Sequence, residues 1–152
     1  MALFLSKFLN KVDRKGRVSV PAPFRAELAA ETFAGIIVRP SFVSAALDGC
    51  GKQALEALKQ GVDQLNPFSD ERMSFASAIF ARSSSLPWDS EGRIVLPAEL
   101  LAHAHLAERA LFVGLGETFQ IWEPGRYTEA EAEAIRRARE LRGSLNAPSR
   151  KE

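Results

Sequence analysis

The sequence predicts a strand-rich α+β protein that contains two copies of one supersecondary unit. The first observation is an internal repeat, because residues 13–24 return as residues 89–100 with five identical positions and three that stay apolar. The second is that each copy has the pattern of a turn, a short alternating strand, a short helix and two later strands. A repeat of this kind indicates that the chain forms the same structural unit twice.

The composition is that of an ordinary globular protein, with 152 residues, 46% apolar and 26% charged. This length fits one domain or two small, closely packed ones. Cys50 is the single cysteine, so no disulfide framework is expected and a reducing, cytoplasmic compartment is favoured. The opening residues contain neither a signal-peptide core nor a stretch long enough for a membrane span, so no membrane association is expected.

Charge is divided unevenly along the chain. Residues 1–25 carry a net +5, from six basic side chains against Asp13, whereas the remaining residues carry a net −4 within a total of +1. The six basic residues are Lys7, Lys11, Arg14, Lys15, Arg17 and Arg25. An asymmetry of this size predicts a localised anionic partner.

The first copy begins with a strand predicted within residues 3–12, followed by a turn over 13–16. Asp13 suits the start of this turn because its carboxylate accepts backbone N–H bonds, and Gly16 supplies a left-handed conformation. Alternation over 17–20 places two valines on one face of the next strand. Pro21 ends that strand because it has no N–H to donate.

The remaining elements follow from apolar spacing, prolines and glycines. We predict helices over 24–31, 52–59 (ending at Gly61), 66–82, 98–105 and 128–141. We predict strands over 35–39, 42–47, 93–96, 111–115 and 118–122. The rest is expected to form a serine-rich linker over 83–85, a second turn over 89–92 and a polar tail from Gly143.

The chain resembles the MraZ family, bacterial DNA-binding proteins with two tandem domains of the SpoVT–AbrB type. The resemblance extends from about Leu5 to Tyr127. It rests on Asp-Arg-Lys-Gly-Arg-Val-Ser-Val-Pro over 13–21, Asp-Ser-Glu-Gly-Arg-Ile-Val-Leu-Pro over 89–97, and Leu-Phe-Val-Gly-Leu-Gly over 111–116 with Phe-Gln-Ile-Trp-Glu over 119–123.

The resemblance implies two swapped-hairpin β-barrel units, related by a pseudo-two-fold axis within one chain. The units would be a DNA-binding domain over 5–52 and a second domain over 82–127, joined by a helical connector over 53–81 and followed by a helix and polar tail over 128–152. It further implies ring-shaped homo-oligomers that bind short direct repeats upstream of the family's own gene, in the cell-division and cell-wall cluster.

The predicted DNA contacts are the six basic residues of the N-terminal segment, with Arg14, Lys15 and Arg17 at their centre. A turn tip or a strand pair can enter the major groove. Arginine suits forked contacts with phosphate or guanine, and lysine suits phosphate. The sequence leaves open which of the three reads a base.

The other repeated positions are predicted to be structural. Asp13, Gly16 and Pro21 shape the first unit, and Asp89, Gly92, Arg93 and Pro97 shape the second. The second turn carries Ser90 and Glu91 where the first carries Arg14 and Lys15. We therefore expect Arg93 to have a structural or subunit-interface role, although contact between Arg93 and DNA stays open.

These observations favour a sequence-specific transcriptional regulator that is not an enzyme. Its expected partners are double-stranded DNA with repeated boxes and further copies of itself, in the cytoplasm and at the nucleoid. No metal, cofactor or small-molecule substrate is expected. The alternative is a non-catalytic oligomeric scaffold that binds proteins, which the concentrated basic charge disfavours. An enzyme has the least support.

Overall fold

The computed structural model describes residues 1–145. In this part of the chain the strands are β1 (Lys7–Lys11), β2 (Arg17–Ser19), β3 (Gly35–Pro40), β4 (Leu47–Cys50), β5 (Ser84–Pro87), β6 (Arg93–Val95), β7 (Arg109–Gly114) and β8 (Phe119–Trp122). The α-helices are α1 (Ala22–Glu27), α2 (Lys52–Asp63), α3 (Asp70–Phe75), α4 (Ala98–His103) and α5 (Pro124–Glu140). A π-helical segment, Ala76–Ala81, extends α3, and a 3₁₀ turn covers Arg142–Ser144.

The strands form one large sheet and one small ribbon. The six-stranded sheet has the order β1-β7-β8-β4-β3-β5, and β2 pairs with β6 in a separate two-stranded ribbon. All of these pairings are antiparallel. The predicted strand-rich α+β class is confirmed, although the strands of residues 1–145 form no closed barrel.

The two copies exchange strands within the sheet. The first strand of the N-terminal copy, β1, pairs with β7 of the second copy, while β5 of the second copy pairs with β3 of the first. The centre of the sheet joins the copies through β4 and β8. Each copy therefore completes the sheet of the other within a single chain, as the resemblance to swapped-hairpin proteins implies.

The ribbon also pairs one strand from each copy, and its register is symmetric. Val18 lies opposite Ile94 at its centre, so equivalent positions of the repeat face each other. Two further hydrogen bonds extend the pattern, because Val20 N donates to Gly92 O at 2.9 Å and Leu96 N donates to Gly16 O at 2.8 Å. The pseudo-two-fold axis that the repeat implies passes through this central pair.

The main core lies between the buried side of the ribbon and the sheet. Phe24 of α1 is at its centre and packs against four other rings, with centroid distances of 5.0 Å to Phe4, 5.5 Å to Phe8, 6.3 Å to Phe112 and 5.2 Å to Phe119. These rings come from the first copy, from β1 and from β7 and β8 of the second copy. The aromatic cluster thus stabilises the exchange of strands as well as the core.

The predicted strand over 42–47 is wrong, because β4 begins only at Leu47. Residues 42–46 form a bend in which Ser41 Oγ accepts hydrogen bonds from Val43 N at 3.1 Å and Ser44 N at 3.2 Å. Serine hydroxyls that bond to nearby backbone compete with strand pairing. The predicted serine linker over 83–85 is also wrong, since Ser84–Pro87 forms the edge strand β5.

Several helix boundaries differ from the prediction. The α1 helix covers Ala22–Glu27 rather than 24–31, and α4 ends at His103 rather than at residue 105. The α2 helix continues through Gly61 to Asp63, whose carboxylate pairs with Lys59 at 2.6 Å. The α3 helix begins at Asp70 rather than at residue 66, because Ser69 caps it by accepting from Arg72 N.

The α5 helix begins four residues earlier than predicted, at Pro124. The carboxylate of Glu123 accepts a hydrogen bond from Arg126 N at 2.8 Å and so caps the first turn. Part of the predicted polar tail, residues 146–152, lies outside the described residues.

Replacement of Phe24 by alanine is expected to lower the free energy of unfolding by about 3–5 kcal/mol, as for buried aromatic truncations in general. Phe68 is the matched control, since its side chain is 96% exposed, and Phe68→Ala should change the free energy by less than about 0.5 kcal/mol. Equilibrium unfolding in urea measures both values. Equal losses for the two variants would contradict the central position of Phe24.

Candidate nucleic-acid interface

Asp13 organises the first turn with both oxygens of its carboxylate. Its Oδ1 accepts hydrogen bonds from Lys15 N and Arg17 N, each at 2.9 Å. Its Oδ2 accepts from Arg17 Nε at 2.6 Å. Gly16 adopts φ +82°, the left-handed conformation expected of it. The carboxylate therefore shapes the turn, because both of its oxygens accept hydrogen bonds from the turn's own residues.

These hydrogen bonds also fix the charge state of the turn. The Arg17 backbone N–H, followed by its guanidinium, holds the pKa of Asp13 below the ordinary value. Asp13 is consequently ionised at neutral pH and orients Arg17 through Nε alone. Within residues 1–145 the two terminal nitrogens of Arg17 make no hydrogen bond, so they remain able to bind a second acceptor.

Arg14 and Lys15 form the tip of the turn. Both side chains are exposed, and neither forms an ion pair with any residue in the range 1–145. The tip therefore presents two cations, and the guanidinium that Asp13 orients follows them in the chain.

The second turn has the same hydrogen bonds but a different charge pattern. Asp89 Oδ1 accepts from Glu91 N at 2.9 Å and Arg93 N at 3.0 Å, and its Oδ2 accepts from Arg93 Nε at 3.0 Å. Gly92 has φ +80°. Glu91 additionally lies 3.7 Å from Arg93 Nη2, so Arg93 is engaged by two carboxylates.

In the second turn, Asp89 and Arg93 each stabilise the charged form of the other. The Arg93 backbone N–H lowers the pKa of Asp89, and the hydrogen bond to Asp89 raises the pKa of Arg93. Asp13 also contributes to the raised pKa of Arg93. The second turn thus carries its own counter-charges, unlike the tip of the first.

Pro21 and Pro97 occupy equivalent places at the starts of α1 and α4. Each lies directly before the first helical residue. The carbonyl of Pro21 accepts from Phe24 N and Arg25 N, at 2.9 and 3.0 Å. The carbonyl of Pro97 accepts the corresponding bonds from residues 100 and 101. Both prolines therefore mark the change from ribbon strand to helix.

Lys7 and Lys11 lie on β1 at different distances from the first turn. Lys7 Nζ binds Glu131 of α5 at 2.7 Å and lies 5.7 Å from the centre of the Tyr127 ring. The hydrogen bond to Glu131 raises the pKa of Lys7. Lys11 is exposed near the first turn and lies opposite Arg109 of β7 in the strand register.

Arg25 lies at the second turn, although it belongs to the first copy. Its Nε donates to Val20 O at 3.1 Å. Its guanidinium covers Gly92, where an added Cβ would lie only 2.5 Å from Arg25 Nε. Leu101 is placed in the same way against Gly16 of the first turn. The strand exchange therefore brings a cation of the N-terminal segment to the turn that carries Glu91.

The ribbon places residues of both copies on one exposed face. Val18 and Ile94 are buried in the core, so their neighbours along each strand point the other way. Arg17 lies opposite Val95, and Ser19 lies opposite Arg93. The structure thus brings Arg17 and Arg93 to the same surface, which the sequence alone does not predict.

Two residues near this surface were not among the predicted contacts. Val95 is 53% exposed despite its apolar side chain, and Arg109 enters the neighbourhood of Lys11 through strand pairing. Neither carries a local motif. Only the register of β2 with β6 and of β1 with β7 places them there.

Residues 1–145 contain no group of three or more His, Cys, Asp or Glu side chains that could hold a metal ion. None of the helices in the same range has both the length and the apolar character needed to cross a membrane.

The chain is similar to proteins of one family along nearly its whole length. A family model described as "MraZ protein, putative antitoxin-like" matches residues 79–142, which contain the second turn and α5. A Pelagibacter ubique protein named Transcriptional regulator MraZ is 44% identical over 94% of this chain and 92% of its own length. Proteins of the same name from Rickettsia bellii and Rickettsia akari are 44% and 43% identical, each over 95% of this chain and 97% of their own lengths. The chain therefore belongs to the MraZ family.

Proposed function

We propose that this protein is a DNA-binding transcriptional regulator without enzymatic activity, and that the turn over residues 13–17 contacts DNA. The observation that carries the proposal is the arrangement of this turn, in which Asp13 orients Arg17 while Arg14 and Lys15 stay exposed at the tip. The name Transcriptional regulator MraZ of the relatives supports the same function.

The remaining basic residues contribute to different degrees in this proposal. Lys11 lies closest to the turn along the chain and is exposed. Arg25 would contact DNA from its position against the second turn. Lys7 is held by Glu131, so its charge is largely compensated, and it makes the smallest contribution of the six.

We further propose that the protein acts as a ring-shaped homo-oligomer on short direct repeats upstream of its own gene, in the cell-division and cell-wall cluster. It would therefore work in the cytoplasm, at the nucleoid. The unit over 5–52 would bind DNA, and the unit over 82–127 would have a structural role. One turn offers few cations, so several turns on one assembly would raise affinity through effective concentration.

An exposed apolar groove supports the oligomeric part of this proposal. The groove has a volume of about 420 Å³ and is lined by Phe42, Leu58, Val62, Phe75 and Ile79, among others. Phe42 is 56% exposed at its edge. Exposed apolar surface of this kind is typical of contacts between protein chains.

DNA binding is expected to depend steeply on salt. If about five phosphates are neutralised per subunit, the slope of log K against log salt is about −4.5. Titrations of the DNA upstream of the gene at increasing salt, followed by fluorescence anisotropy, measure this slope. A protein-binding scaffold would show no salt-dependent affinity for this fragment.

The number of repeats should matter as much as their sequence. A duplex with several boxes is expected to bind at least tenfold more tightly than a duplex of equal length with one box, because linked contacts raise avidity. Gel-shift titrations compare the two duplexes. Equal affinities would contradict the repeat-binding proposal.

The two arginines of the repeated motif should differ in their roles. Arg17→Ala is expected to weaken DNA binding about 30-fold while the oligomer keeps its mass, since a hydrogen bond between an arginine and a charged acceptor is worth about 1.5–3 kcal/mol. Arg93→Ala is the matched control, because it removes the equivalent side chain from a turn that holds its own counter-charges, and it should change stability or assembly more than affinity. Anisotropy and light scattering provide the two readouts. Equal loss of affinity with unchanged mass in both variants would contradict this division.

A further inference from the structure

We propose that the apolar groove beside α2 receives Phe68 of a second copy of this chain, so that subunits join head to tail. The inference rests on the homo-oligomer proposed above and names the two surfaces that form its contact. Both surfaces belong to a part of the molecule that the basic turn does not include.

The groove offers a continuous apolar surface rather than single exposed side chains. It lies between α2, the π-helical segment and the sheet, and its apolar lining comprises Phe42, Leu58, Val62, Leu65, Phe75 and Ile79. The rings of Phe42 and Phe75 lie 6.4 Å apart, and both are exposed. A surface of this extent is suited to an apolar partner segment.

The groove also contains a cation whose hydrogen-bonding capacity is not filled. Arg39 and Asp48 line it, but Arg39 Nη2 lies 3.8 Å from Asp48 Oδ2, which is too far for a hydrogen bond. Asp48 instead accepts from Gln120 Nε2 at 2.9 Å. Arg39 Nε is buried without a partner in the range 1–145. An occupant that brings a carboxylate would give this guanidinium a second acceptor.

The connection between α2 and α3 presents an aromatic side chain to solvent. Phe68 is 96% exposed and does not line the groove of its own chain. Asn66 fixes the turn, because its Oδ1 accepts from Phe68 N at 2.9 Å and its carbonyl accepts from Ser69 Oγ at 2.7 Å. The turn is therefore held in shape before a partner arrives, which reduces the entropy lost on association.

The residues after Phe68 match the charge of the groove. Asp70 and Glu71 are exposed in the first turn of α3, and neither forms an ion pair with a residue in the range 1–145. An aromatic side chain followed closely by carboxylates complements an apolar groove that contains Arg39. This complementarity selects the 66–71 segment of a second copy as the occupant.

The two surfaces differ from each other, so the contact is heterologous. A subunit that inserts Phe68 into one neighbour still offers its own groove to another neighbour. Contacts of this kind form a ring when the rotation between subunits closes, whereas a two-fold contact uses the same patch on both subunits. The proposed contact therefore fits a ring-shaped oligomer.

The test uses one variant of each surface. Phe68→Ala removes the inserted side chain. Gly61→Leu fills the groove from α2, where an added Cβ meets no other atom within 4 Å. Each variant should weaken assembly at least about tenfold, the effect expected when one large apolar side chain is no longer buried. Light scattering over a range of protein concentrations measures the mass of each variant.

Mixing the two variants tests the direction of the contact. Gly61→Leu keeps Phe68, and Phe68→Ala keeps an open groove, so the mixture can form one contact and no more. Native mass spectrometry should detect a 1:1 heterodimer with twice the 16.7 kDa mass of one chain. At the same concentration each variant alone should be a monomer.

Ile135→Ala is the matched control, because Ile135 is exposed on α5, which packs against β7 and not against the groove. It should assemble as the wild type does. Urea unfolding below the concentration at which subunits assemble should give Phe68→Ala the stability of wild type, which shows that this variant folds.

The inference is overturned if either single variant keeps the mass of the wild type, or if the mixture gives full rings or no heterodimer. A monomeric wild-type protein would overturn the proposed ring as well, whereas wild-type rings that persist in Phe68→Ala would remove only this contact. The salt dependence of DNA binding is measured separately, so neither result decides the DNA-binding function.

Discussion

The antiparallel pairing of two copies of one unit is the constraint on which the rest of the structure depends. Val18 and Ile94 face each other at the centre of the ribbon, and Asp48 and Gln120 face each other at the centre of the sheet. Neither copy has a complete sheet or core of its own, because β1 pairs with β7 and β5 pairs with β3. The aromatic cluster around Phe24 then buries side chains from both copies together, which makes their folding mutually dependent.

The pairing of the two copies also determines which side chains are exposed on the β2–β6 ribbon. Burying Val18 and Ile94 turns Arg17, Ser19, Arg93 and Val95 outward on one face. The Asp-Arg hydrogen bonds hold both arginines at the base of their turns. A rigid scaffold of this kind positions polar groups with little loss of side-chain entropy on binding, because much of their freedom has already been lost on folding.

The pseudo-symmetry holds for the backbone but not for the charges. Both turns have the same carboxylate hydrogen bonds and the same left-handed glycine, yet one tip bears Arg14 and Lys15 and the other bears Ser90 and Glu91. The count along the sequence assigns the positive charge to the first turn alone. In the structure Arg25 compensates part of this difference, since strand exchange places α1 against the second turn. The two ends of the ribbon are consequently more alike in charge than their own sequences are.

The sequence by itself determined the repeat, the strand-rich class, the two Asp-to-Gly turns and the concentration of cations near the first of them. These features follow from local chemistry, namely carboxylate-to-backbone bonds, glycine at positive φ and the alternation of apolar residues. It misplaced the strand at 42–47 and the beginnings of α3 and α5, where Ser41, Ser69 and Glu123 bond to nearby backbone. Only the tertiary structure decided which strands the copies exchange, that Arg25 lies against the second turn and that Val95 lies beside Arg17. Those outcomes depend on pairing between residues about 75 positions apart, and no local pattern specifies the partner of a strand at that separation.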